Sequence, residues 1–402
     1  MASNVINASS SSLLIRSLQW LLSLSIIKTL SIQSLRNLAS VSIELSPGIN
    51  VFYGDNGSGK TSLLESVALL GLGRSFRSHK TRSLVSHEER ALTVFSAIDI
   101  EYANGSSDET QNVLALQRVP VGVQKSRNGL SVIKVSGETI RSAAVLAKQL
   151  PLLIINAHSF QLIEGPPIQR RKFLDWLVFH VKPEFAGLWH GLQKTLKQRN
   201  SLLRRDKINH SDIEPWNREF IRLSKAIDIV RAGVFKTFIH SFKKLGSQLS
   251  LSALSVEFEY FRGWDNDQDI KDVLHADFIR DCRDGYTHQG PQRSEIIIKA
   301  HSKPAAEVLS RGQEKSLVCA MTIAQAHMYH MSTSRQCVFL IDDLLAELDK
   351  RHIQVLADWL KELGAQVLVT GVDRNELLSP WCSDDFTPAV FHVKHGGVEQ
   401  EV

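Results

Sequence analysis

Cysteine is scarce. The chain has four in 402 residues, Cys282, Cys319, Cys337 and Cys382; none form a C-x-x-C pair and two sit inside apolar runs. That pattern excludes a disulfide framework and a cysteine metal site, and reads as reduced thiols in a cytosolic protein. No stretch reaches the ~20 uninterrupted apolar residues a membrane-spanning helix needs, and no sustained heptad repeat supports a long coiled-coil arm. Excess charge is also small. A net +5 over the whole chain points to an acidic partner only where basic residues cluster. What remains, 43% hydrophobic and 22% charged, is an ordinary globular composition with length for two or three domains' worth of core.

The N-terminus is the first ambiguity. Leu13 to Ile27 is apolar-rich and no acidic residue precedes it, as in a signal peptide. Arg16 and Gln19 interrupt the run, however, and no small-x-small cleavage site follows it. We expect residues 1–25 to be an extension, disordered or the product of an over-long start assignment.

The chain is organised around Gly54-Asp55-Asn56-Gly57-Ser58-Gly59-Lys60-Thr61, preceded by the apolar run Ile49 to Tyr53 and followed by a helical pattern from Ser62 to Leu72. Strand, glycine loop and helix in that order make a phosphate cradle: backbone N–H groups turn inward on one anion and the helix dipole adds positive potential. Lys60 can reach the β- and γ-phosphates of ATP, and the Thr61 hydroxyl can ligate Mg²⁺. A bare match to this pattern can be a chance loop; the flanking strand and helix argue against that.

Two alternating runs, Ile26–Ile32 and Ala39–Leu45, predict a strand pair before the loop. Short β-rich stretches at Leu92–Ile100, Val113–Val119, Ser131–Val135 and Leu152–Ile155 predict an antiparallel layer on the nucleotide core. From Pro167 to about Leu254 the period becomes helical, and from Glu295 the β pattern returns. Cys337 to Asp343 is an apolar strand ending in two carboxylates, and Ala365–Thr370 another buried strand after a helix from Lys350. Lys60 and Asp342 are farther apart than one compact nucleotide fold requires, so the helical stretch is an insertion into a single head. The expected domains are 26–165 and 285–402 for the head and 166–284 for the lobe.

Asp342, at the end of a buried strand, is where such an enzyme holds Mg²⁺, and Asp343 is placed to orient or deprotonate water. A solvated turn or a helix cap is the alternative. A second anion site is offered by Ser310-Arg311-Gly312-Gln313 at the start of a helical run. One ATP does not need two such sites on one subunit, so this one would complete the pocket of a second copy. As an isolated segment it also reads as a plain N-cap with Gln313 closing a capping box. Basic residues gather at Arg77, Lys80 and Arg82, and again at Lys194, Lys197, Arg199, Arg204, Arg205 and Lys207 against one acid, Asp206. Lys194, Lys197 and Arg204 fall on one predicted helix face, and no aromatics interleave. The stripe is either a DNA-backbone contact or a solvated face.

The GDNGSGKT, LSRGQEK and LIDD segments, with Ala346-Glu347-Leu348-Asp349, resemble the Walker A, signature, Walker B and D-loop motifs of ABC-type ATPase heads of the SMC group. Within that group the chain is similar to the RecF family. That likeness rests on Leu35-Arg36-Asn37-Leu38, Leu45 to Asn50, Gly73-Arg74-Ser75-Phe76-Arg77, Arg170 to Trp176 and Leu196 to Asn200, and it covers about residues 26–400.

The resemblance implies an α/β P-loop head with an antiparallel β layer and an inserted helical lobe. It implies a cytoplasmic, nucleoid-associated protein of replication, DNA repair and the SOS response that binds double-stranded DNA and single-strand/double-strand junctions. It would dimerise on ATP, hydrolyse it slowly and act with RecO and RecR to load RecA. By position Lys60 and Thr61 would hold phosphate and Mg²⁺, Asp342 the metal and Asp343 the water, with Ser310, Arg311 and Gly312 acting in trans. The loop His288 to Arg293 departs from the family pattern by an extra Gln, and Thr370-Gly371 stands where transporter ATPases place a switch histidine. The rivals are the ATPase subunit of a membrane transporter and a DNA clamp with negligible turnover.

Overall fold

The computed structural model describes residues 25–78, 80–103, 114–205, 207, 209–246, 255–343, 348, 350–382 and 387–401. The expected N-terminal extension lies outside them except for Ser25, which opens the first strand. In chain order the strands are β1 (Ser25–Leu35), β2 (Leu38–Glu44), β3 (Ile49–Tyr53), β4 (Ala91–Ala103), β5 (Leu114–Ser126), β6 (Ser131–Val135), β7 (Glu138–Ile140) and β8 (Leu152–Ile155). They continue with β9 (Val256–Phe261), β10 (Glu295–Ala300), β11 (Lys303–Pro304), β12 (Val338–Asp342), β13 (Gln366–Gly371), β14 (Ala389–Lys394) and β15 (Gly397–Gln400). The longer helices are α1 (Lys60–Leu72), α2 (Pro167–Val181), α3 (Phe185–Leu203), α4 (His210–Gly246), α5 (Arg311–Thr333) and α6 (Lys350–Glu362).

Two compact units result, Met1–Ala157 with Tyr329–Val402, and His158–Met328. In the first, an antiparallel sheet of order β2-β1-β4-β5-β6-β7 accompanies a sheet of order β15-β14-β3-β13-β12-β8. The second sheet is parallel from β14 to β8, with β15 antiparallel at its edge. Helix α1 is buried on nearly every side, Lys60, Ser62, Glu65 and Ser66 included, and its apolar residues face the core. Its Leu63, Leu64, Val67 and Ala68 join a core with Ile27 and Leu30 of β1, Val94 and Ile98 of β4, and Phe52, Leu340 and Leu368 of the parallel sheet. Each such buried aliphatic side chain contributes about 1.5–3 kcal/mol. The buried Gln366 amide ties the two sheets: its Oε1 accepts from Ile27 N–H (2.8 Å), and its Nε2 donates to the Ile27 and Ser46 carbonyls (2.9 and 2.8 Å). The β1–β4 register shifts between Ile27 and Thr29, where the ladder loosens.

Leu152–Ile155 departs from expectation. It is a parallel edge strand beside β12, with Leu340 opposite Ile154, and not part of the antiparallel layer. Its apolar residues follow one another without alternation, the pattern of a strand covered on both faces.

The second unit combines α2, α3, α4 and most of α5 with a small sheet of order β11-β10-β9. It begins before residue 166 and runs past 284 because β10 pairs along the whole of β9, so the Ser310–Gln313 segment belongs to it. Two buried arginines brace it. Arg231 grips Asp175 with two hydrogen bonds (2.8 and 2.9 Å) and donates to Pro291 O and Ser294 Oγ. Arg199 pairs with Asp281 at 2.7 Å, both side chains fully buried. Arg199 is therefore withdrawn from the expected basic stripe, because α3 turns it inward to a carboxylate far along the chain. The segments Arg170–Trp176 and Leu196–Asn200 thus carry ion pairs of the lobe; removing one partner of such a pair costs about 3–5 kcal/mol.

Candidate nucleotide-binding site

Because β3, β12 and β13 run parallel, with Asp342 opposite Thr370 and Gly371 opposite Tyr53, the glycine loop, the paired aspartates and Thr370 all emerge at one carboxyl edge of the sheet. That edge is where open parallel sheets bind ligands.

The loop is glycine for steric reasons. Gly54 has φ 152°, and a Cβ there would lie 2.2 Å from the Val393 carbonyl oxygen; at Gly59, φ 123°, it would lie 2.7 Å from Leu38 Cδ2. Gly59 caps α1 without a side-chain hydrogen bond, and no acidic residue occupies the first turn. The N–H groups opening α1 are thus left for an anion. Ser58 Oγ is buried without a hydrogen-bond partner among the described residues. Together with a cavity of about 290 Å³ lined by Lys60, Thr61, Arg77, Asp342 and Asp343, these features fit the polyphosphate of a nucleotide.

Lys60 Nζ donates to the carbonyls of Gly54 (2.7 Å) and Asp55 (2.9 Å), folding the side chain back over its own loop. Burial pulls its pKa below the usual lysine value, opposed by the charges of Asp343, Asp342 and Asp55. Thr61 Oγ1 donates to Asp342 Oδ1 at 3.0 Å, and Thr370 Oγ1 donates to the same oxygen at 2.8 Å. Burial raises the Asp342 pKa, as does the Asp343 charge, while those hydroxyls and Arg77 lower it. A hydroxyl beside a desolvated carboxylate at a phosphate loop suits Mg²⁺, which binds through one or two protein oxygens and keeps phosphates and waters for the rest. Asp343 is exposed with φ 53°, a left-handed conformation that Asp tolerates, and its N–H donates to Thr370 Oγ1 at 3.3 Å.

Several residues here were not assigned this role from sequence. Asn37 Nδ2 donates to Gly57 O (2.9 Å) and its Oδ1 accepts from Ser62 Oγ (3.1 Å), fastening the β1–β2 turn to the loop. Thr370 couples the two aspartates. Arg77, expected among DNA contacts, lines the nucleotide cavity. Its loop is anchored on α1: Ser75 Oγ accepts from Arg77 N–H and Ser78 N–H (both 3.0 Å) and donates to the buried Glu65, which Arg36 pairs at 2.5 Å. The turn of the β14–β15 hairpin also leans on the loop, Gly396 N–H donating to Ser58 O at 3.0 Å. The sequence signals for these were the presence of Arg36, Asn37, Ser75 and Arg77 in segments shared with the family, and Thr370 at the place of a transporter's switch histidine.

Ser310 forms the capping box: its N–H donates to Gln313 Oε1 (2.9 Å), and Gln313 N–H to Ser310 Oγ (3.4 Å). Ser310, Arg311, Gly312 and Gln313 are all exposed. Behind them Glu314 is buried, its pKa pushed up to about 7 by burial and by the neighbouring Glu164. Lys80, Arg82, Lys194, Lys197 and Arg204 are exposed. Lys194 and Lys197 lie on α3, whereas Arg204 follows its last residue and so leaves the expected helix face. Of the expected D-loop, Leu348 is buried, and Ala346, Glu347 and Asp349 lie outside the described residues.

Residues 26–387 match the family model described as RecF/RecN/SMC N terminal domain. The DNA replication and repair protein RecF of Cellvibrio japonicus (strain Ueda107) is 44% identical over 370 residues, 92% of this chain and 98% of that one. RecF of Pseudomonas paraeruginosa (strain DSM 24068 / PA7) is 44% identical over 372 residues, 92% of this chain and 96% of that one. A solved structure of the recombination mediator protein RecF-ATP in the RecFOR pathway aligns with TM-score 0.78 at 23% identity, covering 94% of this chain and 97% of that one. The Smc head bound to the C-winged helix domain of ScpA aligns with TM-score 0.53 at 15% identity, covering 93% and 96%. These likenesses bear out the expected fold, an α/β ATPase head with an antiparallel layer and a helical lobe.

Proposed function

The chain belongs to the RecF family, and from that premise and the site geometry we propose that it is an ATP-dependent DNA-binding protein of replication and recombinational repair, a clamp closed by nucleotide. The observation that carries the reading is the meeting of Lys60, Thr61, Asp342 and Asp343 around an uncapped helix start.

The α1 N–H groups bind the phosphates. Lys60 exchanges the carbonyls of Gly54 and Asp55 for phosphate oxygens, a stronger charge-assisted pairing. Mg²⁺ held at Thr61 and Asp342 would neutralise phosphate charge. Thr370 fixes the Asp342 carboxylate, and Asp343 orients water for in-line attack. Arg77 adds a cation on the pocket wall. The exposed Ser310–Gln313 helix start serves the nucleotide of a second copy, so ATP is shared between Lys60 of one protomer and Ser310 of its partner. Turnover is slow and DNA-stimulated, and hydrolysis releases the dimer.

The ligand is DNA, duplex and single-strand/double-strand junctions, with Lys194, Lys197, Arg204, Lys80 and Arg82 as backbone contacts. RecO, RecR and RecA are the partners that the family supplies, and the cytoplasm with its nucleoid is the compartment. No helix among the described residues is long and apolar enough to cross a membrane, and the relatives give the transporter reading no support.

Mixing two impaired proteins tests the shared site. Lys60→Arg and Ser310→Arg proteins, each strongly impaired in steady-state ATP hydrolysis, should recover part of the wild-type rate when combined, because the mixed dimer holds one intact site. Absence of any recovery, with both variants folded, contradicts sharing.

A further inference from the structure

The helical unit holds a second polar cavity, of about 460 Å³, that the ATPase chemistry does not use. Its walls come from α3, through Gln193, Lys197 and Asn200, and from the turn Tyr286–Arg293. No carboxylate is among the residues lining it, and neither Lys197 nor Arg293 forms an ion pair among the described residues. The nearby acids are already engaged: Asp281 by Arg199 and His288, Asp284 by Arg283 and His288. Two cations facing one cavity without a counter-charge leave an unsatisfied field that an anion neutralises.

The neutral groups add donors. Thr287 N–H and Oγ1 both approach Asn200 Oδ1 (2.9 and 2.7 Å). A backbone N–H can only donate, so the Asn200 oxygen is fixed toward Thr287 and its amide NH₂ is left for the cavity. Thr287 Oγ1 is itself held by the buried Arg199, at 2.5 Å. The arrangement is therefore built on the braced interior of the lobe. Gln292 contributes an amide whose Nε2 is spent on the Gln289 carbonyl (2.8 Å) while its Oε1 is buried without a partner among the described residues. At the rim Tyr286 is 38% exposed, with the Arg293 guanidinium over its ring at 5.7 Å.

Cations and an amide donor for phosphate, with an aromatic–guanidinium edge for stacking, are the elements that bind an unpaired nucleotide. We infer that this cavity receives one phosphate-linked nucleotide of the single strand in gapped DNA. A paired nucleotide keeps its base edge and faces inside the duplex and cannot present them here. The inference rests on the DNA-binding reading and adds a site that distinguishes the unpaired strand from the duplex arm.

The test uses full-length protein and dye-labelled oligonucleotides in fluorescence anisotropy, with a single strand, a blunt duplex and a gapped duplex, comparing wild type with Arg293→Gln and Tyr286→Ala. Each variant should lose about ten-fold in single-strand affinity. In Arg293→Gln the single-strand salt slope should become shallower by about 0.7, the change expected for one contact. Blunt-duplex affinity should stay within two-fold, as should ATP turnover, which uses none of these residues. An unchanged single-strand affinity, or an equal fall for blunt duplex, would overturn the inference while leaving DNA binding standing. Wild-type protein that binds the duplex but no single strand would overturn it too, whereas failure to bind any DNA sinks the underlying reading. Displacement of AMP from the cavity by the single strand supports it; AMP binding that no oligonucleotide displaces overturns the assignment to DNA.

Discussion

The glycine loop and the Ser310 segment are both helix starts that carry polar groups, and they differ in how much each supplies alone. At the loop, α1 has no side-chain cap, Lys60 is buried, and Thr61, Asp342 and Thr370 form a connected set. At Ser310 the helix satisfies its own first donors through the capping box, every residue of the segment is exposed, and no metal-ligating carboxylate lies among Ser310 to Gln313. The first site can bind and position phosphate within one protomer. The second can contribute a hydroxyl, a dipole and the Arg311 charge, and only to a nucleotide already held elsewhere.

The largest effect expected from breaking this asymmetry is at Lys60. Lys60→Arg should lower ATP turnover by about 10²-fold, the scale for one preorganised charge donor, with thermal unfolding close to wild type; equal turnover would refute the assignment. Thr370→Val should reduce Mg²⁺ affinity, read from the Mg²⁺ dependence of hydrolysis, by about 10-fold, since residues that orient a ligating carboxylate are worth that much. An unchanged Mg²⁺ requirement would mean that the hydroxyl only packs.

At the second site, Ser310→Ala should cost about 1 kcal/mol of helix capping, seen in chemical denaturation. Ser310→Arg should in addition abolish ATP-driven association. If both substitutions act alike, Ser310 is a cap and nothing more.

The smallest effect concerns Glu314. Its folded pKa, about 7, lies above the ordinary glutamate value because of burial and Glu164. The stabilisation is therefore fully present below the unfolded pKa of about 4.3 and is lost as pH rises through about 7. Melting temperature should fall by a few degrees between pH 6 and 8, at roughly 2–4 °C per kcal/mol for a chain of ordinary size, and Glu314→Gln should flatten the dependence. A wild-type melting curve unchanged over that range contradicts the raised Glu314 pKa.

Much of the head was legible in the sequence because its signals are local. Ile49 to Leu72 spells strand, loop and helix in one stretch, and Asp342 ends an apolar run. What escaped depends on partners distant in the chain. Asn37 meets Gly57, and the hairpin turn at Gly396 meets Ser58, through packing that no periodicity encodes. Arg199 looked like part of a basic stripe because its partner, Asp281, lies on another helix. Leu152–Ile155 was misplaced because a short apolar run does not say which sheet covers it. The lobe reached farther than expected because β10 pairs with β9 across the intervening helices. Arg77 was near enough to the loop in sequence to be noticed, yet its place in the pocket depends on the Ser75–Glu65 anchor.

The central claim is that one nucleotide joins a complete half-site to an incomplete one on a second copy. Sedimentation velocity with and without ATP and Mg²⁺ tests it most directly. Wild-type protein should shift from monomer to dimer with ATP, and Lys60→Arg and Ser310→Arg should each remain monomeric. A wild type that stays monomeric with ATP, or a Ser310→Arg variant that dimerises normally, would contradict it.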